Sequence, residues 1–164
     1  MQTKSISEQM RLGMRRLASG VCVISADVGG EHFAMTASSV TSVSDNPPSL
    51  LVCINKLVSQ QEYFSRSGSV FAVNILGESQ QAVSDLCAGR EPGRDRFSLG
   101  QWVTDSASPY LADAQAVFFC ETDMLISYGT HQIVIAHIKR VEIADVGFSP
   151  LIYADGSYGK FVHQ

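Results

Sequence analysis

Two polar turns carry the residue types that could do chemistry in this chain. The first is Thr36-Ala37-Ser38-Ser39, which closes a short strand, His32 to Met35, and precedes Val40 to Val43. Hydroxyls and backbone N–H groups gather where the chain turns. Oriented backbone amides form an anion-binding nest, so this turn suits a phosphate or the polar edge of a planar cofactor. The second is Asn55-Lys56-Leu57-Val58-Ser59, again at the end of an apolar strand. A pocket results if the two turns face each other.

Other chemistry is missing from the sequence. No G-x-G-x-x-G follows the first strand, and there is no Walker A sequence and no G-x-S-x-G elbow. The carboxylates are scattered, with no pair marked as an acid/base couple. Cys22, Cys53, Cys87 and Cys120 are widely spaced without a C-x-x-C pair, and they read as small buried hydrophobes. His32, His131, His137 and His163 lack metal-ligand spacing, so no metal is expected. His131 and His137 are six apart, on one face of a strand. If the chain is an enzyme, a bound cofactor carries the reaction and the protein supplies orientation and electrostatics.

The elements that must position these turns are mostly strands. Ser7 to Ser19 has helical spacing, with Met10, Met14, Leu17 and Ala18 on one face and a capping box from Ser5 to Glu8. Val21 to Ala26 and His32 to Ala37 form a hairpin across residues 27–31. Ser49 to Asn55 is an unbroken apolar run, read as a fully buried strand. Ser59 to Ser67 is expected as a helix with Ser59 as its cap. Ser69 to Leu76 is a strand, and Ser79 to Ala88 a helix stopped by Gly89. Arg90 to Gly100 reads as a mobile loop around Phe97. Ala114 to Asp123 reads as a strand, and Met124 to Tyr128, a turn at Gly129-Thr130 and His131 to Asp145 give a long hairpin. Pro150 to Tyr153 is a last strand, followed by a tail. Hairpin connections favour a mainly β chain: an antiparallel barrel with a few short helices.

Bulk properties set the class. The chain has 164 residues, 45% hydrophobic and 17% charged, which fits one ordered domain over 1–164. A net charge of −4 argues against nucleic-acid binding. No apolar run reaches membrane-spanning length and the N-terminus lacks an apolar signal region, so the expectation is a cytoplasmic protein with no membrane partner.

The segments Phe33 to Ser44, Pro48 to Lys56, Phe71 to Leu76, Gly129-Thr130-His131 and Pro150 to Tyr153 together resemble the short-chain flavin reductases, in the same order. These are reductase components of two-component aromatic monooxygenases. The resemblance implies an FMN-binding split barrel, a homodimer, and NAD(P)H-dependent reduction of FMN or FAD, with reduced flavin passed to a flavin-dependent oxygenase. It implies that Thr36, Ala37, Ser38 and Ser39 meet the isoalloxazine edge and ribityl chain. Cys53, Ile54 and Asn55 would run beside the ring, with Lys56 and Ser59 on the phosphate side. His131 would sit near the nicotinamide as the catalytic residue. Tyr153 and Tyr158 would approach from the C-terminal segment, and Phe97 would either close over the flavin or anchor its own loop. Thr130 stands where the family often has Asp, and a neutral tail replaces an Arg-rich one, which favours NADH over NADPH. The alternative on the same barrel is a flavin-binding carrier or sensor without reductase activity.

Overall fold

The chain's computed structural model describes residues 4–145 and 147–162, so His163 lies outside the described residues. In chain order the elements are α1 (Ile6–Met14), β1 (Ser19–Gly20), β2 (Cys22–Val28), β3 (Glu31–Ala37), β4 (Val40–Asp45), β5 (Pro48–Asn55), α2 (Gln61–Phe64), β6 (Val70–Ile75), α3 (Gln81–Cys87), β7 (Trp102–Val103), β8 (Tyr110–Leu111), β9 (Ala116–Tyr128), β10 (His131–Ile143), β11 (Leu151–Ala154) and β12 (Ser157–Lys160). A single 3-10 turn, Glu78–Gln80, leads into α3.

Seven strands form one antiparallel sheet in the order β3-β2-β6-β9-β10-β5-β4. Its edges, β3 and β4, are consecutive in the chain and joined only by Ser38-Ser39. Laid flat, seven strands would hold their edges about 29 Å apart at the usual strand spacing. Ala37 and Val40 are three Cα links apart, at most about 11 Å. The sheet must therefore curl until its edges meet, which makes it the expected split barrel. Ser39 extends the β4–β5 ladder: its hydroxyl donates to the Cys53 carbonyl (3.0 Å) and accepts from the Cys53 N–H (3.3 Å). Register breaks at Ile135/Ala136 and Ile138/Arg140 bend the β9–β10 hairpin around the barrel. A second sheet, β1-β11-β12, packs alongside.

The two halves of the barrel wall differ in their cover. Inward-facing Ile24, Phe33, Met35, Val52, Ile54, Phe71, Val73 and Val134 fill the interior with Phe64. Outside β2, β3 and β6, a second cluster packs Val23, Ala34 and Ala72 against Val83 and Cys87 of α3, Leu111 and Leu151. Asn74 pins this layer. Its side-chain amide donates to the Val23 carbonyl and to Ser25 Oγ, both at 2.9 Å, and its Oδ1 accepts from the Leu111 N–H at 2.8 Å. The opposite wall has no such layer. Leu51, Cys53 and Asn55 on β5 and Ile133 and Ile135 on β10 are only half-buried, and Met124 and Ile126 on β9 are 53% and 44% exposed. The run over Ser49–Asn55 is thus not a fully buried strand. Alternate residues enter the core, and the others form a half-covered apolar outer face.

Some elements differ from expectation for local reasons. The Ser5–Glu8 capping box forms, but α1 stops at Met14 and tightens into i→i+3 bonds through Leu17. No helix starts at Ser59. The helix is the single turn Gln61–Phe64, entered through Gln60 in a left-handed conformation (φ 62°) without a side-chain cap. The C-terminal tail is a strand, β12, because it pairs with β11. The 90–100 loop is anchored: Arg96 Nη1 donates to the Ala34 carbonyl, and the Phe97 ring lies 4.4 Å from Trp102 and 5.4 Å from His32.

Cys22, Cys87 and Cys120 are buried, and desolvation pushes each thiol up to about 12. A thiol there is ionised in roughly one molecule in 10⁴ at pH 8, and the thiolate is the nucleophile. Cys53 is half-buried on the bare wall. Iodoacetamide at pH 8 should alkylate one cysteine of the folded protein, Cys53, and all four after denaturation. Mass spectrometry reads the count, and rapid labelling of a second native thiol would contradict this burial.

Candidate functional site

The chain folds so that the two turns become neighbours. Pairing of β4 with β5 sets Ser39 against Cys53, and the Ser39 hydroxyl bonds both backbone groups of Cys53. Two residues further along β5, Asn55 pairs with His131 across the sheet. Strand geometry separates the Cys53 and His131 Cα atoms by about 8 Å. The β9–β10 turn completes this ledge. Lys56 N–H donates to the Thr130 carbonyl (3.0 Å), and Lys56 Nζ donates to the Gly129 carbonyl (2.8 Å). The Thr130 hydroxyl and His131 Nδ1 share a hydrogen bond of 2.9 Å, which leaves Nε2 facing away from Thr130.

Several side chains here have structural partners. The Thr36 hydroxyl donates to the Ser84 carbonyl (2.6 Å) and ties β3 to α3. Ala37 is buried, and the Ile54 side chain lies in the barrel core. Asn55 Oδ1 accepts from the Leu57 N–H (2.9 Å), closing an Asx turn after β5. Ser59 is exposed and caps nothing. Only Ser38 on the seam has an exposed hydroxyl with no protein partner among the described residues.

The seam also borders two cavities. The smaller, about 140 Å³, is lined by Thr36, Ala37 and Ser38 with Ser84, Arg90, Tyr153 and Tyr158. Tyr153 and Tyr158 pair across β11–β12 with rings 5.2 Å apart. The Tyr158 hydroxyl donates to Asp85 Oδ1 (3.0 Å) and lies 2.8 Å from Ser84 Oγ, while Arg90 pairs with Asp85 at 2.6 Å. Burial pushes the Tyr158 hydroxyl above its ordinary range, so it remains a neutral donor at working pH. The larger cavity is a groove of about 900 Å³ that runs from Ser38, Ser39, Val40 and Thr41 to α1 and Tyr153.

Of the residues singled out in the sequence, Ser38, Ser39, Cys53, Asn55, Lys56 and His131 gather along the seam and ledge. Tyr153 and Tyr158 stand behind the seam. Phe97 borders neither cavity and anchors its loop against Trp102. The sequence reading missed Ser84, Asp85 and Arg90, which sit on and after a helix that carries no motif. It also missed α1. Its Met10, Met14 and Leu17 have core-like spacing, yet all three are exposed and line the groove. Among the described residues no helix is long and apolar enough to cross a membrane, and no group of three His, Cys, Asp or Glu could hold a metal.

Comparison with known proteins places the whole chain among reductases. An FMN reductase (NADH), RutF, of Variovorax paradoxus is 38% identical over 149 residues, which cover 90% of this chain and 82% of that protein. The NADH:FAD oxidoreductase SgcE6 of Streptomyces globisporus has the same fold, with a TM-score of 0.87, 26% identity and coverage of 100% of this chain and 99% of that one. A structure of the same protein holds NAD and FAD fragments. The styrene monooxygenase flavin reductase of Pseudomonas putida matches with a TM-score of 0.84 and 25% identity, over 95% of this chain and 99% of that one. The model of the flavin reductase like domain matches residues 14–161, so the chain belongs to that family.

Proposed function

We propose that the protein is an NAD(P)H:flavin oxidoreductase that reduces FMN or FAD and hands reduced flavin to a partner oxygenase. The observation that carries this reading is the joining of seam and ledge at one end of the barrel, with an apolar wall beside them. The relative's FMN and NADH favour that pair over FAD and NADPH. A bound flavin supplies the hydride acceptor. What the protein must do is hold two flat rings in contact, and proximity of this kind is worth roughly 7–11 kcal/mol of a barrier.

The residues divide that task. Backbone amides of Ser38 and Ser39 would hold the polar edge of a bound ring, as donors of an oxyanion hole do. Cys53 and Asn55 offer a half-covered strand edge along which a planar system can lie. His131, held by Thr130 through Nδ1, presents Nε2 at the end of the ledge. There it positions the nicotinamide or donates a proton. The phosphate role read for Ser59 loses its basis in a capped helix, because α2 is one uncapped turn.

A second copy of the chain is the occupant proposed for the bare wall. Leu51, Ile133, Ile135, Met124 and Ile126 form one outer apolar face over β5, β10 and β9. Contiguous exposed apolar patches of this kind mark interaction sites. The face adjoins the ledge, so a homodimer would cover the flavin.

Three outcomes follow. With FMN and NADH, His131→Ala should lower kcat/KM for NADH by about 10²-fold while flavin affinity stays within about twofold. Collapse of flavin binding would make His131 a flavin ligand or a structural residue. FMN should slow alkylation of Cys53 in proportion to site occupancy, and an unchanged rate at saturating FMN would remove Cys53 from the site. Ile126→Lys should convert a dimer to a monomer in analytical ultracentrifugation at micromolar protein. A wild-type monomer would refute the dimer.

A further inference from the structure

We propose that Asp85 is a positioning residue of the reductase: through Tyr158 it clamps the C-terminal β11–β12 hairpin to α3 and so fixes the Tyr153 ring beside the seam. This rests on the reductase reading above. Ser38 and Tyr153 are the two residues that line both the groove and the smaller cavity, so they stand on the border between them. Ser38 belongs to the two-residue link between β3 and β4, and the barrel sets its place. Tyr153 belongs to the terminal hairpin, and what sets its ring is a different matter.

Backbone bonds hold β11. It pairs with β1 at Ser19↔Tyr153 and Gly20↔Ile152, and the Asp155 N–H beyond it donates to the Arg15 carbonyl at 2.8 Å. Among the described residues β12 pairs with β11 alone, as the edge of its sheet. Side chains must therefore hold β12 to the body. Tyr158 reaches α3, and Lys160 Nζ lies 3.6 Å from Glu78 Oε2. The Tyr153 ring depends on the first of these ties. Tyr153 and Tyr158 are register partners on one face of the hairpin, and their rings meet edge to face at 5.2 Å and 69°.

The clamp is built from α3. A carboxylate only accepts, so the Tyr158 proton points at Asp85 Oδ1 (3.0 Å) and the Ser84 hydroxyl donates to the phenol oxygen (2.8 Å). Arg90 orients the carboxylate. Its Nη1 pairs with Asp85 Oδ1 at 2.6 Å, and its guanidinium carbon lies 5.6 Å from the centre of the Tyr158 ring. Charge-assisted bonds of this kind are the stronger ones. The Ser84 carbonyl meanwhile accepts from the Thr36 hydroxyl at 2.6 Å. Two consecutive residues of α3 thus hold both walls of the smaller cavity, the seam through Thr36 and the hairpin through Tyr158. Asp85 itself lines neither cavity, so it acts through the tyrosines. With the flavin edge at Ser38, a Tyr153 ring set loose would blur the wall next to it.

Steady-state kinetics with NADH and FMN, and FMN titration followed by flavin fluorescence, test the clamp. Asp85→Ala and Tyr158→Phe should each raise the KM and Kd for FMN about fivefold, the scale of one lost hydrogen bond, with kcat within about twofold. The double variant should match the more affected single, because both changes cut one contact. Asp85→Asn keeps an acceptor for the phenol and should recover part of the affinity. Lys160→Gln cuts the other tie of β12 and should leave both constants unchanged. Unchanged constants in Asp85→Ala would overturn the proposal. So would effects that multiply in the double variant, or a loss in Lys160→Gln equal to that in Asp85→Ala, which would make the hairpin merely structural. If Asp85→Ala does not fold, Tyr158→Phe against Lys160→Gln decides. A wild type that turns over no flavin would instead defeat the reductase reading, while the FMN titration still reads the clamp.

Discussion

Two residues, Ser38 and Ser39, join the edges of a seven-stranded sheet, and the rest of the architecture follows from that short link. A sheet whose first and last strands are neighbours in sequence cannot stay open. Curling supplies an interior, which Phe64, Phe71, Ile24 and Ile54 fill without solvent exposure. It also brings the end of β3 against the end of β5. The two polar turns are neighbours because β4 pairs with β5 and only Ser38-Ser39 separate β4 from β3, so no additional element is needed to position them. Ser39, bonding to both polar groups of Cys53, extends the β4–β5 ladder through its side chain beyond the Val40–Val52 pair.

Closure leaves an asymmetric wall. The β2, β3 and β6 side is sandwiched between the barrel core and α3 with its attached loops. Asn74 makes that layer costly to peel away, since a buried amide left without partners loses about 1–3 kcal/mol. The β5 and β10 side carries apolar residues on both faces and a cover on one. Such a wall is poor design for an isolated monomer and reasonable for one that receives a planar ligand and a second copy. The same asymmetry accounts for α1, whose apolar row borders a groove in place of a core.

The fold was largely legible because its signals are local. Alternation over Glu31–Ala37 and Val70–Ile75, the Gly29-Gly30 turn with both φ positive (66° and 91°), and Gly129-Thr130 each act over a few residues. The capping box at Ser5 was readable for the same reason. What failed depended on tertiary context. Ser59 and Glu62 have cap spacing, but the segment between β5 and β6 must turn sharply through a left-handed Gln60, and only one helical turn fits. The tail became β12 because β11 needed a partner. For the site, the neighbourhood of seam, Cys53, Asn55 and His131 was readable through family resemblance. The Ser84–Tyr158–Asp85–Arg90 network was not, since its members lie up to 74 residues apart and share no motif.

The seam also shows which of its atoms can reach a ligand. Thr36 and Ser39 look equivalent to Ser38 as hydroxyl donors. Their protons, however, go to the Ser84 and Cys53 carbonyls, bonds that tie β3 to α3 and the start of β4 to β5. Redirecting either toward a ligand would leave a carbonyl unpaired and loosen an element on which the site depends. Ser38 alone combines exposure with the absence of a competing partner. On the proposed reading, the Ser38 hydroxyl is the side-chain group of Thr36-Ala37-Ser38-Ser39 left to a ligand. The flanking hydroxyls tie the turn to α3 and to β5.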